Sequence, residues 1–197
     1  MFLMKLIELR KIRKFCFGYE DISRVLGITP ASAKVTASRY TKLGILIRVK
    51  RNLYVFREVW NAASREDKFR LANLGQVPSY ISLMTALDYY EITTQVQRDF
   101  FESVAVRRSK ETNINGSVFR YVKLAANLYG EFKKEQGIFI ATPEKALLDA
   151  FYLISYGRYS LDLSSLDTTK LDRRELERLG RNFPLKTKNM LKRYGYL

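Results

Sequence analysis

Histidine is absent from all 197 residues. That removes the imidazole general base, triads built on it, and the commonest zinc ligand. Cysteine occurs once, at Cys16, so no disulfide can close within the chain and no thiolate cluster can hold a metal. Between Phe15 and Phe17, Cys16 reads as a buried structural thiol, which fits a reducing cytoplasm. No apolar run reaches bilayer-spanning length. The apolar start Met1-Phe2-Leu3-Met4 is too short for a secretory signal, and Lys5 follows it rather than precedes it. The expected location is therefore the cytoplasm, away from membranes. Neither a P-loop nor a G-x-G-x-x-G fingerprint is present. Asp88/Glu91 and Asp99/Glu102 are neighbouring carboxylates, but they sit on ordinary amphipathic segments and do not make the converging set a metal nuclease needs. The expectation is a protein that is not an enzyme, with no catalytic residues, no metal and no cofactor.

Acidic charge is scarce as well. Against 35 Lys/Arg stand 20 Asp/Glu, a net charge of +15. The excess is uneven: residues 1–75 hold 16 Lys/Arg and 6 Asp/Glu, residues 76–167 hold 10 and 11, and residues 168–197 hold 9 and 3. Two basic ends flank a neutral middle. Hydrophobic residues make up 47%, enough for a buried core.

The first basic stretch carries a pattern suited to DNA. Glu20 to Leu26 predicts a short helix and Gly27-Ile28 a tight turn. Thr29 is placed to cap the next helix, and Pro30 suits its first position. That helix is predicted to run to about Leu43 and stop at Gly44. Its inner stripe is Ala33, Ala37 and Tyr40; Ser32, Lys34, Ser38 and Arg39 fall outside it. Ile45–Lys50 and Leu53–Phe56 alternate as two strands joined across Arg51-Asn52, and Asn52 suits the positive φ of a tight turn. Helix, turn, helix and basic ribbon make a winged helix-turn-helix. The candidate DNA-binding residues are Thr29, Ser32, Lys34, Ser38, Arg39, Arg48, Lys50, Arg51 and Asn52. Helix residues of this kind read base edges, and cations at the ribbon tip bind phosphate.

A first helix is predicted over Met4–Lys14 and a connecting helix from Glu58 to about Leu74. Gly75-Gln76-Val77-Pro78 then breaks the pattern, where the charge balance also changes. The expected domains are 1–75, a winged helix-turn-helix with its connecting helix; 76–167, an α+β domain with a small antiparallel sheet; and 168–197, basic helices packed on it. The fold class is α+β. In the middle domain a helix is predicted from Ser82 to about Glu91. Strands are predicted at Phe101–Arg107, Ser117–Leu124 and Ile138–Ala141, with Asn115-Gly116 as the turn between the first two. Residues 125–137 hold room for a further short strand. Thr142 caps a helix with Pro143 in its first position and Glu144 in its first turn. Near the end, Thr168 or Thr169 starts a helix to about Leu179, and Pro184–Tyr194 forms another. The latter offers a secondary basic surface of Lys186, Lys188, Lys192 and Arg193, facing DNA or an acidic partner.

The chain resembles the AbiEi family of bacterial abortive-infection antitoxins. In the first domain the resemblance rests on Arg39-Tyr40-Thr41-Lys42-Leu43-Gly44-Ile45-Leu46, then Arg48 and Asn52-Leu53-Tyr54. Tyr40 stands where Leu is usual and Asn52 where Gly is usual. In the second it rests on Tyr80-Ile81-Ser82-Leu83 with Ala86-Leu87, and on the more specific block Ala141-Thr142-Pro143-Glu144-Lys145-Ala146-Leu147-Leu148-Asp149. The resemblance implies a type IV toxin–antitoxin regulator that binds its own promoter as double-stranded DNA and represses its operon. It implies a nucleotidyltransferase-like toxin as functional partner, without a stable complex, and a C-terminal domain needed for antitoxin action. Two other readings stay open. One is a solitary winged-helix regulator whose second domain binds a small molecule or protein. The other is a nucleic-acid-processing enzyme.

Overall fold

A computed structural model describes residues 2–196. The chain divides into two compact units, Met1–Leu71 and Ala72–Leu197. No helix among the described residues is long and apolar enough to cross a membrane.

The first unit contains α1 (Phe2–Leu9), α2 (Tyr19–Leu26), α3 (Pro30–Lys42), β1 (Leu46–Lys50), β2 (Leu53–Phe56) and α4 (Arg57–Asn61); α5 (Arg65–Gly75) carries the chain into the second unit. Gly27 closes α2 at φ 60° and Gly44 follows α3 at φ 72°, both left-handed conformations that glycine adopts without strain. Ala33 and Ala37 are fully buried, and their small side chains let α3 approach α2 and α1 around Leu9, Ile22 and Tyr40. Tyr40 is fully buried, so its ring fills the core position that Leu fills in the family pattern.

Two predicted helices are shorter than expected. α1 ends at Leu9, where the chain tightens through Lys11 N–H to Glu8 O and Ile12 N–H to Leu9 O bonds. This turns Ile12 into the same core as Leu9. The connecting helix is two helices. Ser64 and Asp67 form a reciprocal cap: Asp67 accepts from the Ser64 N–H at 3.2 Å, and Ser64 Oγ accepts from the Asp67 N–H at 3.1 Å. The start signal Ser64-x-x-Asp67 was legible and outweighs helix continuity.

The second unit contains β3 (Ser79–Ile81), α6 (Leu83–Tyr89), β4 (Phe100–Ala105), β5 (Lys110–Ile114), β6 (Ser117–Lys123), β7 (Phe132–Glu135), β8 (Ile138–Ala141), α7 (Pro143–Ser155), α8 (Arg173–Gly180) and α9 (Leu185–Arg193). The α+β class is as read from the sequence. The sheet is wider than expected: six strands in the order β5-β6-β4-β3-β8-β7. It is also mixed, since β4 runs parallel to β6 and β3 parallel to β8. Asn115-Gly116 therefore joins β5 to β6, not β4 to β6. The last part differs too: short 3-10 turns occupy Leu163–Ser165 and Thr168–Lys170, and α8 begins only at Arg173. There Asp172 accepts from the Arg174 and Glu175 N–H groups.

Gly75 shows how tightly this unit is packed. A Cβ there would lie 2.1 Å from the Tyr121 hydroxyl, which donates to Ala72 O at 2.8 Å. Tyr121 is buried, so its ring has little room to retreat. Gly75→Ala is expected to lower the unfolding free energy by about 1–3 kcal/mol, measured by urea titration. An unchanged midpoint would show that the helix end moves freely.

Candidate nucleic-acid interface

α3 owes its start to Thr29, whose hydroxyl oxygen accepts from the Ser32 N–H at 3.2 Å while donating to Ser32 Oγ at 3.0 Å. Two of the predicted DNA-contacting hydroxyls thus form the helix cap. Lys34, Ser38 and Arg39 are exposed, as is Ser32, while Ala33, Thr36, Ala37 and Tyr40 are buried. The core-facing stripe gains Thr36, and the outer face keeps every residue assigned to it. Val35 is also exposed, so an apolar side chain sits among the polar ones, where it could meet a thymine methyl.

The ribbon pairs Leu46 with Phe56, Ile47 with Val55 and Arg48 with Tyr54. A register shift lies between Arg48 and Lys50, and Lys50 pairs with Leu53. Phe17 adds to the other side of β2 through two backbone bonds with Tyr54, of 3.0 and 2.9 Å. Arg48, Lys50 and Arg51 are exposed. Arg48 Nε reaches Lys50 O at 3.4 Å, so the bulge and the side chain hold each other.

Asn52 takes φ 58°, the left-handed value the turn requires. Its side chain is committed within the unit: Oδ1 accepts from the Tyr19 N–H at 2.6 Å, and Nδ2 donates to Glu20 at 3.1 and 3.2 Å. The Tyr54 hydroxyl donates to the Tyr19 hydroxyl at 3.0 Å. Together these bonds fix the wing to the start of α2. Asn52 does what a glycine could not: it supplies the turn and the tether at once. Sequence reasoning missed this role, because the partners lie 32 and 33 residues away.

Asp21 anchors the same region. Lys14 and Arg24 approach it at 2.7 and 2.6 Å, and the Gly18 N–H donates at 3.1 Å. Burial alone would push its carboxyl up. The bonds from Lys14 and Gly18, with the charges of Lys14 and Arg24, outweigh burial and hold it below the ordinary Asp value. A depressed carboxylate contributes stability above its unfolded pKa and loses it as pH falls through the folded one. Asp21→Asn is therefore expected to cost about 1–3 kcal/mol at pH 7. The cost should shrink as pH falls through the folded carboxyl's lowered pKa; denaturant titrations at neutral and at progressively acid pH check this. Cys16 is half-buried rather than fully buried as expected; burial, and then the Asp67 charge, push its pKa up to about 12.

Of the C-terminal basic residues, Lys186, Lys192 and Arg193 are exposed, and Lys188 is half-buried. Lys188 Nζ donates to Arg181 O at 3.1 Å, and Lys186 lies over the Tyr156 ring at 5.1 Å. Lys192 and Arg193 occupy the last turn of α9, where the helix dipole favours cations.

The second unit brings together two blocks that are far apart in sequence. Thr142 caps α7 by accepting from the Lys145 N–H at 3.3 Å, with Pro143 in the first turn. One turn further, Lys145 Nζ forms an ion pair with Asp149, and both side chains are almost wholly buried. The other Asp149 oxygen accepts from the Tyr80 hydroxyl at 2.8 Å and from Ser82 Oγ at 2.9 Å. Burial pushes the Asp149 carboxyl up, against the charge of Lys145 and the three hydrogen bonds. Burial, and then the Asp149 charge, push the Tyr80 phenol well above its ordinary value. Ser82 stands at the N-cap position of α6, but its hydroxyl serves Asp149 and makes no capping bond. A cavity of about 170 Å³ lies beside Lys145, bounded by Asn127, Tyr129, Asn182 and Phe183 among others.

Residues 4–57 match the sequence model of a family described as "Transcriptional regulator, AbiEi antitoxin". No curated protein matches the chain. Among solved structures, the crystal structure of the RV2827C protein from Mycobacterium tuberculosis superposes with a TM-score of 0.60 at 12% identity. It covers 93% of this chain and 72% of the other. At that identity the likeness is one of fold.

Proposed function

We propose, since residues 4–57 match the model of the AbiEi antitoxin transcriptional regulators, that the chain is a cytoplasmic repressor of its own operon. It binds promoter DNA as a duplex and counteracts a nucleotidyltransferase-type toxin encoded beside it, without a stable complex. One observation carries this reading. The exposed face of α3 and the cationic ribbon tip occur in one small unit, which is the part that matches the family. α3 enters the major groove with Ser32, Lys34, Ser38 and Arg39 toward bases and backbone, Thr29 holding the cap. Arg48, Lys50 and Arg51 take phosphates, and Asn52 aims the wing. Lys186, Lys192 and Arg193 form a secondary cationic surface, with Lys188 partly engaged on its own chain.

Co-expression with the adjacent gene tests the reading. The full chain is expected to restore growth that the neighbour suppresses. A variant that cannot bind DNA, expressed from an unrelated promoter, should restore it equally, because the second unit acts on the toxin. Failure of the full chain to restore growth contradicts the antitoxin half of the proposal. A genome with no nucleotidyltransferase beside the gene favours the solitary regulator, for which the cavity beside Lys145 is the specific support.

A further inference from the structure

The Lys145–Asp149 pair is costly to bury, and an apolar pair of similar volume is often at least as stable. Its position at the wall of a cavity gives it a use. An ammonium carries three N–H donors. Asp149 takes one, and the Tyr80 and Phe183 rings lie 5.6 and 5.2 Å from the nitrogen. Lys145 also lines the cavity, and the donors that Asp149 does not take are what it can offer there. The cavity of about 170 Å³ has room for a small planar ring or several waters. Its charges are balanced: Asp149 neutralises Lys145, and Arg178 pairs with Glu131 at 3.3 Å. An uncompensated anion therefore finds no free cation there, whereas a dipolar molecule finds donors and acceptors. Asn127 and Asn182 each offer both through their carboxamides, and Tyr129 and Phe183 offer ring surface.

We propose that this cavity binds one nucleobase that carries a ring carbonyl: uracil, cytosine or guanine. Lys145 donates to the ring carbonyl, Asn127 and Asn182 match the ring edge, and Tyr129 and Phe183 pack against the ring. Aromatic walls with hydrogen bonding to base edges are the usual means of holding an unstacked base. The site lies wholly in the second unit.

The test is calorimetric titration of the full chain with uridine, guanosine, cytidine and adenosine, with benzoate as an anionic ring of similar size. Uridine, guanosine or cytidine is expected to bind saturably and more tightly than adenosine, which has no ring carbonyl, or benzoate. Asn127→Ala with Asn182→Ala should weaken binding by about ten-fold, two lost hydrogen bonds, with an unchanged melting temperature. Both residues are exposed, so the variant is expected to fold normally. The proposal is overturned if no nucleoside binds saturably, if adenosine or benzoate binds as well as uridine, guanosine and cytidine, or if the double variant binds as the parent does.

Discussion

Alanine at Ser32, Lys34, Lys50 and Arg51 together is expected to weaken binding to the upstream DNA by about a hundred-fold or more near 0.1 M salt, measured by fluorescence anisotropy. The four substitutions act in two ways. Lys50 and Arg51 stand exposed at the ribbon tip, where cations neutralise phosphates and release counterions. Their loss should weaken every sequence alike and make the slope of log affinity against log salt shallower by about two. Ser32 and Lys34 lie on the exposed face of α3, where side chains reach base edges. Their loss should narrow the gap between operator and random DNA. None of the four is in the core, so thermal stability should change little. The exception is Ser32, whose hydroxyl accepts from Thr29 at the cap. A quadruple variant that binds with the parent's affinity and salt slope would place the interface elsewhere.

The second large effect is on folding. Asp149→Ala removes the acceptor of Lys145, Tyr80 and Ser82 in one step. It leaves a buried ammonium without its counter-charge, the most expensive kind of deletion, typically about 3–5 kcal/mol. The second unit is expected to lose that much stability and become sensitive to limited proteolysis. Replacing both partners, Lys145→Met with Asp149→Leu, should recover most of the loss, because the charge goes with the counter-charge. If the single variant costs under about 1 kcal/mol, the ion pair is not buried as described. If the double variant is as unstable as the single, the hydroxyls of Tyr80 and Ser82 carry the cost instead.

The first unit was largely legible because its signals are local. Thr29-Pro30 marks a helix start, Gly27 and Gly44 mark stops, and period-two alternation marks the ribbon. The tether of Asn52 to Tyr19 and Glu20 was hidden because it joins residues across the unit. In the second unit the misses have physical causes. β3 is three residues long and buried throughout, so it has no alternation to read. β5, Lys-Glu-Thr-Asn-Ile, is an edge strand whose polar side chains leave no apolar period. Lys145 and Asp149 stand in the sequence only as members of the Ala141–Asp149 block, with no pairing between them. A cue was present: α7 is apolar around most of its circumference, so its charged residues could not all face water. What no local pattern showed is that Tyr80 and Ser82, some seventy residues earlier, complete the site.

On the proposed reading, this chain represses its own operon through α3 and the wing. A reporter fused to the operon's upstream region measures it directly, with the chain supplied from a separate plasmid. Strong repression by the parent is expected, and restored reporter expression with the quadruple variant at equal protein level. Repression that persists in the quadruple variant, or a parent that leaves the reporter untouched, would contradict it.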